Sequence, residues 1–448
     1  MKQTILTFFC FALLAGAVDI TGCTNITTAG TYNLTQDITY ATVAGDVTSN
    51  DCLNINTSGH IPTGPTDFVY LDCNNHTITV NMTQQQQNQG PINGYAPIHI
   101  NNSPGTQVVR CTIRVLGGNS EAVGVYVEST DSHTDYMGGL VTNTIYGAGI
   151  ECQGVTKFNI ANVTVYGGNI HIRDSGLPNP DWSVTLIGNN HVYARTDATN
   201  GSPYGGRKTG QIEITPTAST NGYLVISDYV ITGNVLDGSW SGSGNLFASG
   251  MEDGIAIIGP TQRFEIMNNS TVNNWNAGLE LVNTHSFMNI HNNSFSRFGM
   301  SCLLIDWNIS FNTFAYANNT CDNSNLNASL FLPNYPMFVL SEADTFLPIN
   351  AIYWKNVTFT GNTYKSAYRG VNLTDVYFDL VNNLFHGAIN ISGNNNWTNN
   401  TFISVDGKPH TVRVIPEGLV TDGGGNKCNW TWDVSFNPGP TYPITCTQ

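Results

Sequence analysis

The chain has 448 residues, of which only 10% are charged, against a usual share of about 25%, while 40% are apolar and 10% aromatic. That apolar content can build a core, which argues against a disordered chain, and Gly, Asn and Thr supply most of the polarity instead. The formal net charge is −15 with only 16 Lys plus Arg; clustered cations for a phosphate backbone are missing, so nucleic acid is not an expected partner. An anionic polysaccharide would be repelled too, unless Ca²⁺ bridged the surfaces, and Ca²⁺ is the one cofactor worth naming.

The N-terminus reads as an export signal over residues 1–17. Lys2 precedes an apolar run from Ile5 to Leu14, and Ala15-Gly16-Ala17 gives a small-residue cleavage site, so the mature chain is expected to begin near Val18. No later apolar run approaches the length of a membrane span. Ile20-Thr21-Gly22-Cys23 loosely fits a lipid-attachment box, although Asp19 sits badly in it. An extracellular, secreted or cell-surface location follows.

Ten cysteines are present, and Cys10 leaves with the signal. In an oxidising compartment the sequence neighbours are natural partners: Cys23 with Cys52, Cys73 with Cys111, Cys302 with Cys321, Cys428 with Cys446. Cys152 is left over, better read as a small buried hydrophobe than as a nucleophile. No Cys/His cluster has metal spacing, so no metal site is expected. Asn-x-Ser/Thr sequons number roughly twenty, about twice what composition alone would give. They include Asn25, Asn33, Asn56, Asn75, Asn162, Asn308, Asn356, Asn372, Asn390 and Asn429.

Along the chain one pattern recurs: an apolar residue, an Asn three positions on, and an apolar or aromatic residue two further. Copies are Ile187-Asn190-Val192, Ile231-Asn234-Leu236, Ile290-Asn293-Phe295, Ile309-Asn312-Phe314, Phe359-Asn362-Tyr364, Leu380-Asn383-Phe385 and Trp397-Asn400-Phe402, with a looser one at Ile266-Asn269. A period near 20–25 residues with strand-like segments means a solenoid, because one unit cannot bury its own apolar face. Asn at a fixed place suits a bend, since it tolerates left-handed backbone angles. The aromatic file Phe295, Phe314, Tyr364, Phe385, Phe402 keeps a constant offset from the Asn and is expected inside the stack. Leucine-rich repeats are excluded by the missing leucine spacing and helical segments.

The segments Gly30-Thr31-Tyr32-Asn33-Leu34, Cys52-Leu53-Asn54-Ile55 and Val69-Tyr70-Leu71-Asp72-Cys73-Asn74-Asn75-His76-Thr77-Ile78 resemble the first coils of pectate-lyase-like right-handed parallel β-helix proteins, including NosD-like surface members. Asp253-Gly254-Ile255-Ala256-Ile257 is similar to coils throughout that superfamily. The resemblance implies an all-β, single-stranded right-handed parallel β-helix. An N-terminal cap and first coil are expected at 18–55, coils at 56–405, and a C-terminal cap at 406–448. Protruding loops are expected at Gln84–Gln87, 197–209, Gly238–Gly250 and 315–350. The shared motifs encode the fold, and an activity has to be argued from a site.

Enzymes of that superfamily work on the outside of one parallel sheet, with acidic residues and a cation. Gly254-Ile255-Ala256-Ile257 and Gly278-Leu279-Glu280-Leu281 are 24 residues apart, so Ala256 and Glu280 should share an outer face. Asp253, Glu280 and Asp306, with His285 and Arg297, form the catalytic candidates; Trp275, Trp307 and Arg263 are candidates for holding sugar. His171-Ile172-Arg173-Asp174 also places polar residues on one strand face, which a solvated strand would explain equally well. Two readings follow. One is a structural, adhesive or glycan-binding surface glycoprotein, whose partners are carbohydrate, cell-surface components or further copies of itself. The other is a secreted polysaccharide lyase, hydrolase or epimerase.

Overall fold

The computed structural model describes residues 16–42, 51–58, 67–82, 96–117, 122–129, 138–174, 184–194, 210–216, 218–219, 222–223, 228–239, 253–259, 261–282, 285–299, 301–306, 313–323, 338–340, 357–365, 371–373, 378–386, 389–391, 395–403, 412–414 and 420–428. Among them there is no helix, and none long and apolar enough to cross a membrane. Ala218–Ser219 and Gly222–Tyr223 form a small antiparallel pair; in each unit the other strands build three parallel sheets, the chain passing from one sheet to the next. That is the topology of a right-handed parallel β-helix, because consecutive parallel crossovers keep one hand. The chain groups into two compact units, residues 1–192 and 193–448.

In the first unit, sheet I contains Gly30–Leu34, Val69–Asp72, Gln107–Val109, Gly138–Val141 and Phe158–Ala161. Sheet II contains Ile38–Ala41, Thr77–Asn81, Thr112–Leu116, Thr144–Tyr146 and Thr164–Tyr166, and sheet III contains Thr24–Ile26, Leu53–Ile55, Ile98–Asn101, Val123–Glu128, Gly149–Val155 and Ile170–Asp174. Alternation sets which side chains enter the coil. In Thr77-Ile78-Thr79-Val80-Asn81 the apolar residues are buried and the polar ones are not, as a period of two requires. In-register pairing then stacks like on like, with Ile78, Ile113, Ile145 and Val165 forming one interior column. Cys152 lies between Val127 and Ile172 in another. It is fully buried and unbonded, and burial raises its thiol pKa well above the ordinary value. It fills an aliphatic slot.

In the second unit the recurring Asn forms a continuous hydrogen-bonded ladder at the corner between sheets I and II. Asn269, Asn293, Asn319, Asn362, Asn383, Asn400 and Asn426 follow one another at separations of 24, 26, 43, 21, 17 and 26 residues, each Nδ2 donating to the next Oδ1. Asn293 shows the pattern. Its Nδ2 also donates to the Ile266 carbonyl at 2.9 Å, and its Oδ1 accepts from both the backbone and side-chain nitrogens of Asn269 at 2.9 Å. A fully buried amide thereby has every bond it needs. The apolar residue three positions earlier gives a sheet I column of Ile231, Ile266, Ile290, Tyr316, Phe359, Leu380 and Trp397.

One copy of the repeat is assigned differently by the structure. Phe314 belongs to sheet I, between Met288 and Val357, so the ladder Asn of that coil is Asn319, and Asn312 lies outside the described residues. The aromatic column on sheet II therefore runs Phe295, Cys321, Tyr364, Phe385, Phe402. Phe295, Cys321, Tyr364 and Phe385 are buried, and the Tyr364 and Phe385 rings stack at 5.0 Å. Phe314 is buried too, on the other sheet. Sulfur takes the aromatic slot at Cys321 because Cys321 bonds Cys302.

The other disulfides in the structure are Cys23–Cys52 and Cys73–Cys111; Cys446 lies outside the described residues. Strands of the sheets also extend into both segments expected as caps, from Val18–Ile20 to Lys427–Cys428. Within the stretch 315–350 expected as a loop, residues up to Ala317 and then Thr320–Asp322 are laddered strand. The expected loops at 84–87 and 197–209, and residues 240–250 of the third, lie outside the described residues.

Candidate functional site

Most outer faces of the coil carry Thr, Asn and Ser, but sheet III of the first unit differs. Its inward positions are Ile98, Ile100, Val125, Val127, Ile150, Cys152, Ile170 and Ile172. The residues between them must face outward, and they are titratable. His99, Tyr126, Glu151 and His171 stand in one register column, and Asn101, Glu128, Gln153 and Arg173 in the next. Neighbouring rungs are about 4.8 Å apart, so each ionisable group meets those above and below it. These outward groups are nevertheless covered: Glu151 and His171 are each only 2% exposed, so they are not a solvated strand face.

Two clusters result. His99 is clamped between carboxylates, its Nδ1 2.6 Å from Asp51 Oδ2 and its Nε2 3.1 Å from Glu128 Oε1. Burial works to lower its pKa, but the hydrogen bonds and charges of Asp51 and Glu128 together outweigh burial and lift it to about 9. The hydrogen bond from His99 in turn lowers Glu128. The Tyr126 ring lies against the imidazole at 5.1 Å and its hydroxyl donates to Gln153 Oε1 at 2.9 Å. Burial first, then the nearby Glu128, raises the Tyr126 phenol, which therefore keeps its proton. In the second cluster Glu151 holds two partners, His171 Nδ1 at 3.1 Å and Arg173 Nε at 3.5 Å. Together these side chains supply a protonated phenol, imidazoles, carboxylates and a guanidinium on one face, the inventory general acid–base chemistry uses.

The cluster expected between residues 252 and 307 is spread over three sheets, and Glu252 lies outside the described residues. Ala256 and Glu280 do share the outer face of sheet III in the second unit, in register with each other and with Leu304, and Glu280 is half-buried. Asp253 is fully buried, and its Oδ1 accepts from Asn276 Nδ2 and the Ala277 amide. It ties one coil to the next. Asp306 ends a sheet III strand opposite Val282, whereas His285 and Arg263 belong to sheet I and Arg297 to sheet II. Arg263 is paired with Asp228 at 2.7 Å, and Arg297 is exposed within the strand Ser294–Phe298, at φ 53°. Trp275 is half-buried in the bend before Ala277–Val282, and Trp307 lies outside the described residues. Glu280 and Asp306 thus share sheet III, while the candidate cation and imidazole lie on the other two sheets.

His171 and Arg173 stand out in the sequence as polar residues of one strand face; Asp51, His99, Tyr126, Glu128 and Glu151 do so only once the strands are stacked. The signal was there: Ile98-His99-Ile100, Val125-Tyr126-Val127-Glu128 and Ile150-Glu151-Cys152 are apolar alternations whose intervening residues titrate. Among the described residues, no group of three or more His, Cys, Asp or Glu is placed to hold a metal ion.

Parallel sheets with an interior Asn ladder and an ionisable outer face place the chain among right-handed parallel β-helix proteins. No protein-family model matches the sequence, and no curated protein matches it. Among solved structures it is similar to the A-module of the Azotobacter vinelandii mannuronan C-5 epimerase AlgE4, at 10% identity over 85% of this chain and 91% of that chain, with a TM-score of 0.39. The fold assignment stands on the sheet topology itself.

Proposed function

We propose that this is an exported β-helix protein that acts on a carbohydrate polymer by proton transfer, as a lyase or epimerase, at the outer face of sheet III in the first unit. The observation that supports this is the covered row of His99, Tyr126, Glu151 and His171 with Arg173 beside it. Removing a proton next to a uronate carboxylate needs a cation to draw charge from that carboxylate, a base, and an acid to return the proton. Arg173 fits the first role, His171 the second and the protonated Tyr126 the third. Hydrolysis would want two carboxylates at liberty, and here Glu128 is held by His99 and Glu151 by Arg173 and His171. Three disulfides fit an oxidising, extracellular setting.

The test is incubation with a panel of uronate and neutral polysaccharides, following unsaturated-product absorbance, reducing ends and deuterium uptake from heavy water. Tyr126→Phe and His171→Asn are expected to lower turnover by about 10²-fold or more, while Glu280→Gln leaves it unchanged. Full activity in both site variants would remove this site. Loss only in Glu280→Gln would return the chemistry to the second unit.

A second, non-catalytic reading is favoured by the outer face of sheet II in the first unit. There Thr77, Thr112, Thr144 and Thr164 form one column. Beside it Arg114 lies 4.7 Å over the Tyr146 ring, and Tyr146 stacks on the exposed Tyr166 at 4.9 Å. Such a flat, regular, aromatic face suits adhesion or glycan binding. Glycan-array binding abolished by Tyr166→Ala, without turnover of any polymer, would select it.

A further inference from the structure

The corner between sheets I and II repeats one backbone device. The residue before the ladder position takes a left-handed conformation, at φ 55° in Asn162, 57° in Asn268 and Asn292, and 55° in Asn318 and Asn399. All five are exposed. Their backbone N–H groups are committed to the next coil, for example Asn268 to the His291 carbonyl and Asn292 to the Ala317 carbonyl. Two positions on, the first residue of the sheet II strand is Thr164, Ser270, Ser294, Thr320 or Thr401. A hydroxyl residue favoured at a strand start and an Asn favoured at a left-handed corner thus combine into Asn-x-Ser/Thr. Asn189 and Asn382 occupy the same corner at φ 55° and 56°, but His191 and Leu384 follow them, so neither is a sequon.

We propose that this corner is a column of N-glycan acceptors, Asn162 in the first unit and Asn268, Asn292, Asn318 and Asn399 in the second, in which adjacent rungs exclude one another. The inference rests on the reading of the chain as exported. In the transfer, the Asn carboxamide nitrogen bonds C1 of the reducing-end sugar of a polyisoprenyl-pyrophosphate-linked oligosaccharide supplied by the host. The C1–oxygen bond to pyrophosphate breaks, the lipid pyrophosphate leaves, and the amide proton passes to a base; nothing is oxidised or reduced. Folding then retains only glycans that can stand outside the coil. Asn268, Asn292 and Asn318 precede ladder residues bonded in immediate succession, Asn269 to Asn293 to Asn319. They are therefore stacked about 4.8 Å apart, closer than two bulky hydrated oligosaccharides can sit. Asn162 and Asn399 have no sequon on a neighbouring rung of this corner, since Thr142, Asn189, Asn382 and Gly425 lie there. Asn269 also heads a sequon, Asn269-Ser270-Thr271, but it is 1% exposed and spends its amide in the ladder. It cannot carry sugar in the folded chain.

The experiment is secretion of the full chain from an N-glycosylating eukaryotic host, with intact-mass measurement and glycopeptide mapping after enzymatic deglycosylation in heavy-oxygen water. Asn162 and Asn399 are expected to be modified independently. No single molecule is expected to carry sugar on Asn292 together with Asn268 or Asn318, and Asn269 stays bare. Ser294→Ala, which silences only Asn292, should raise the fraction of molecules doubly modified at Asn268 and Asn318. A folded molecule modified at both Asn292 and Asn318, or at Asn269, overturns the proposal. So does modification of Asn25 or Asn75 with the whole column bare, which would leave the export reading intact. A chain retained in the cell without any glycan would remove the export reading and the column with it.

Discussion

At the scale of single residues, the buried amide ladder and the clamped imidazole make the sharpest predictions. Asn293→Ala removes bonds to Asn269, Ile266 and Asn319 and strands buried partners, each costing about 1–3 kcal/mol. A loss of about 3 kcal/mol or more is expected, read as a lower denaturation midpoint at unchanged fold. His99 gives a pH signature. Its folded pKa of about 9 lies above the ordinary value of 6.5, so folding takes up a proton there. The stability it contributes is complete below 6.5 and disappears as pH rises through 9. Urea melts between pH 6 and 10 should show that loss in the native chain and a flattened profile in His99→Gln; parallel profiles would refute the assignment.

At the scale of strands and corners, close approach decides which residues fit. A Cβ on Gly254 would lie 2.6 Å from the Gly278 carbonyl oxygen and 2.7 Å from Thr271 Cβ, neither of which is a flexible side-chain end. Gly254→Ala is expected to cost about 1–3 kcal/mol through overpacking, visible in thermal melts. The strand pattern itself was readable, because in–out alternation is a local property. Ile255 and Leu279 pair as their 24-residue spacing implied, and Ala256 and Glu280 do share a face. Register across irregular coils was not readable. With ladder separations from 17 to 43 residues, the pattern is complete at Ile309-Asn312-Phe314 and without the aromatic residue at Asn319-Thr320-Cys321, and only pairing shows that Asn319 is the one that stacks.

At the scale of the whole molecule, stability in a stacked repeat is a sum of coils and their interfaces. The disulfides join points 29, 38 and 19 residues apart, and each closed loop is worth about 3–4 kcal/mol on the chain-entropy estimate. Reduction is therefore expected to lower the melting temperature of the folded chain. Hydrogen exchange should show the loss concentrated in strands beside Cys23, Cys73 and Cys302; uniform loosening along the chain would contradict coil-by-coil stability.

From the residues alone came a solenoid of short strands, a corner at the repeated Asn and the buried nature of Cys152, because periodicity and burial preference are written in consecutive positions; the left-handed backbone expected of that Asn belongs instead to the residue before it, as at Asn268 and Asn292. The assembly of Asp51, His99 and Glu128, then of Glu151 and His171, belongs to the tertiary structure. Separations of 48, 29 and 20 residues bring them within 2.6–3.1 Å. Loops of unequal length had to close before those side chains could meet, and alternation carries no record of loop length. The same closure sent Arg263, Glu280 and Arg297 to three different sheets, since a coil turns its successive strands toward different sides.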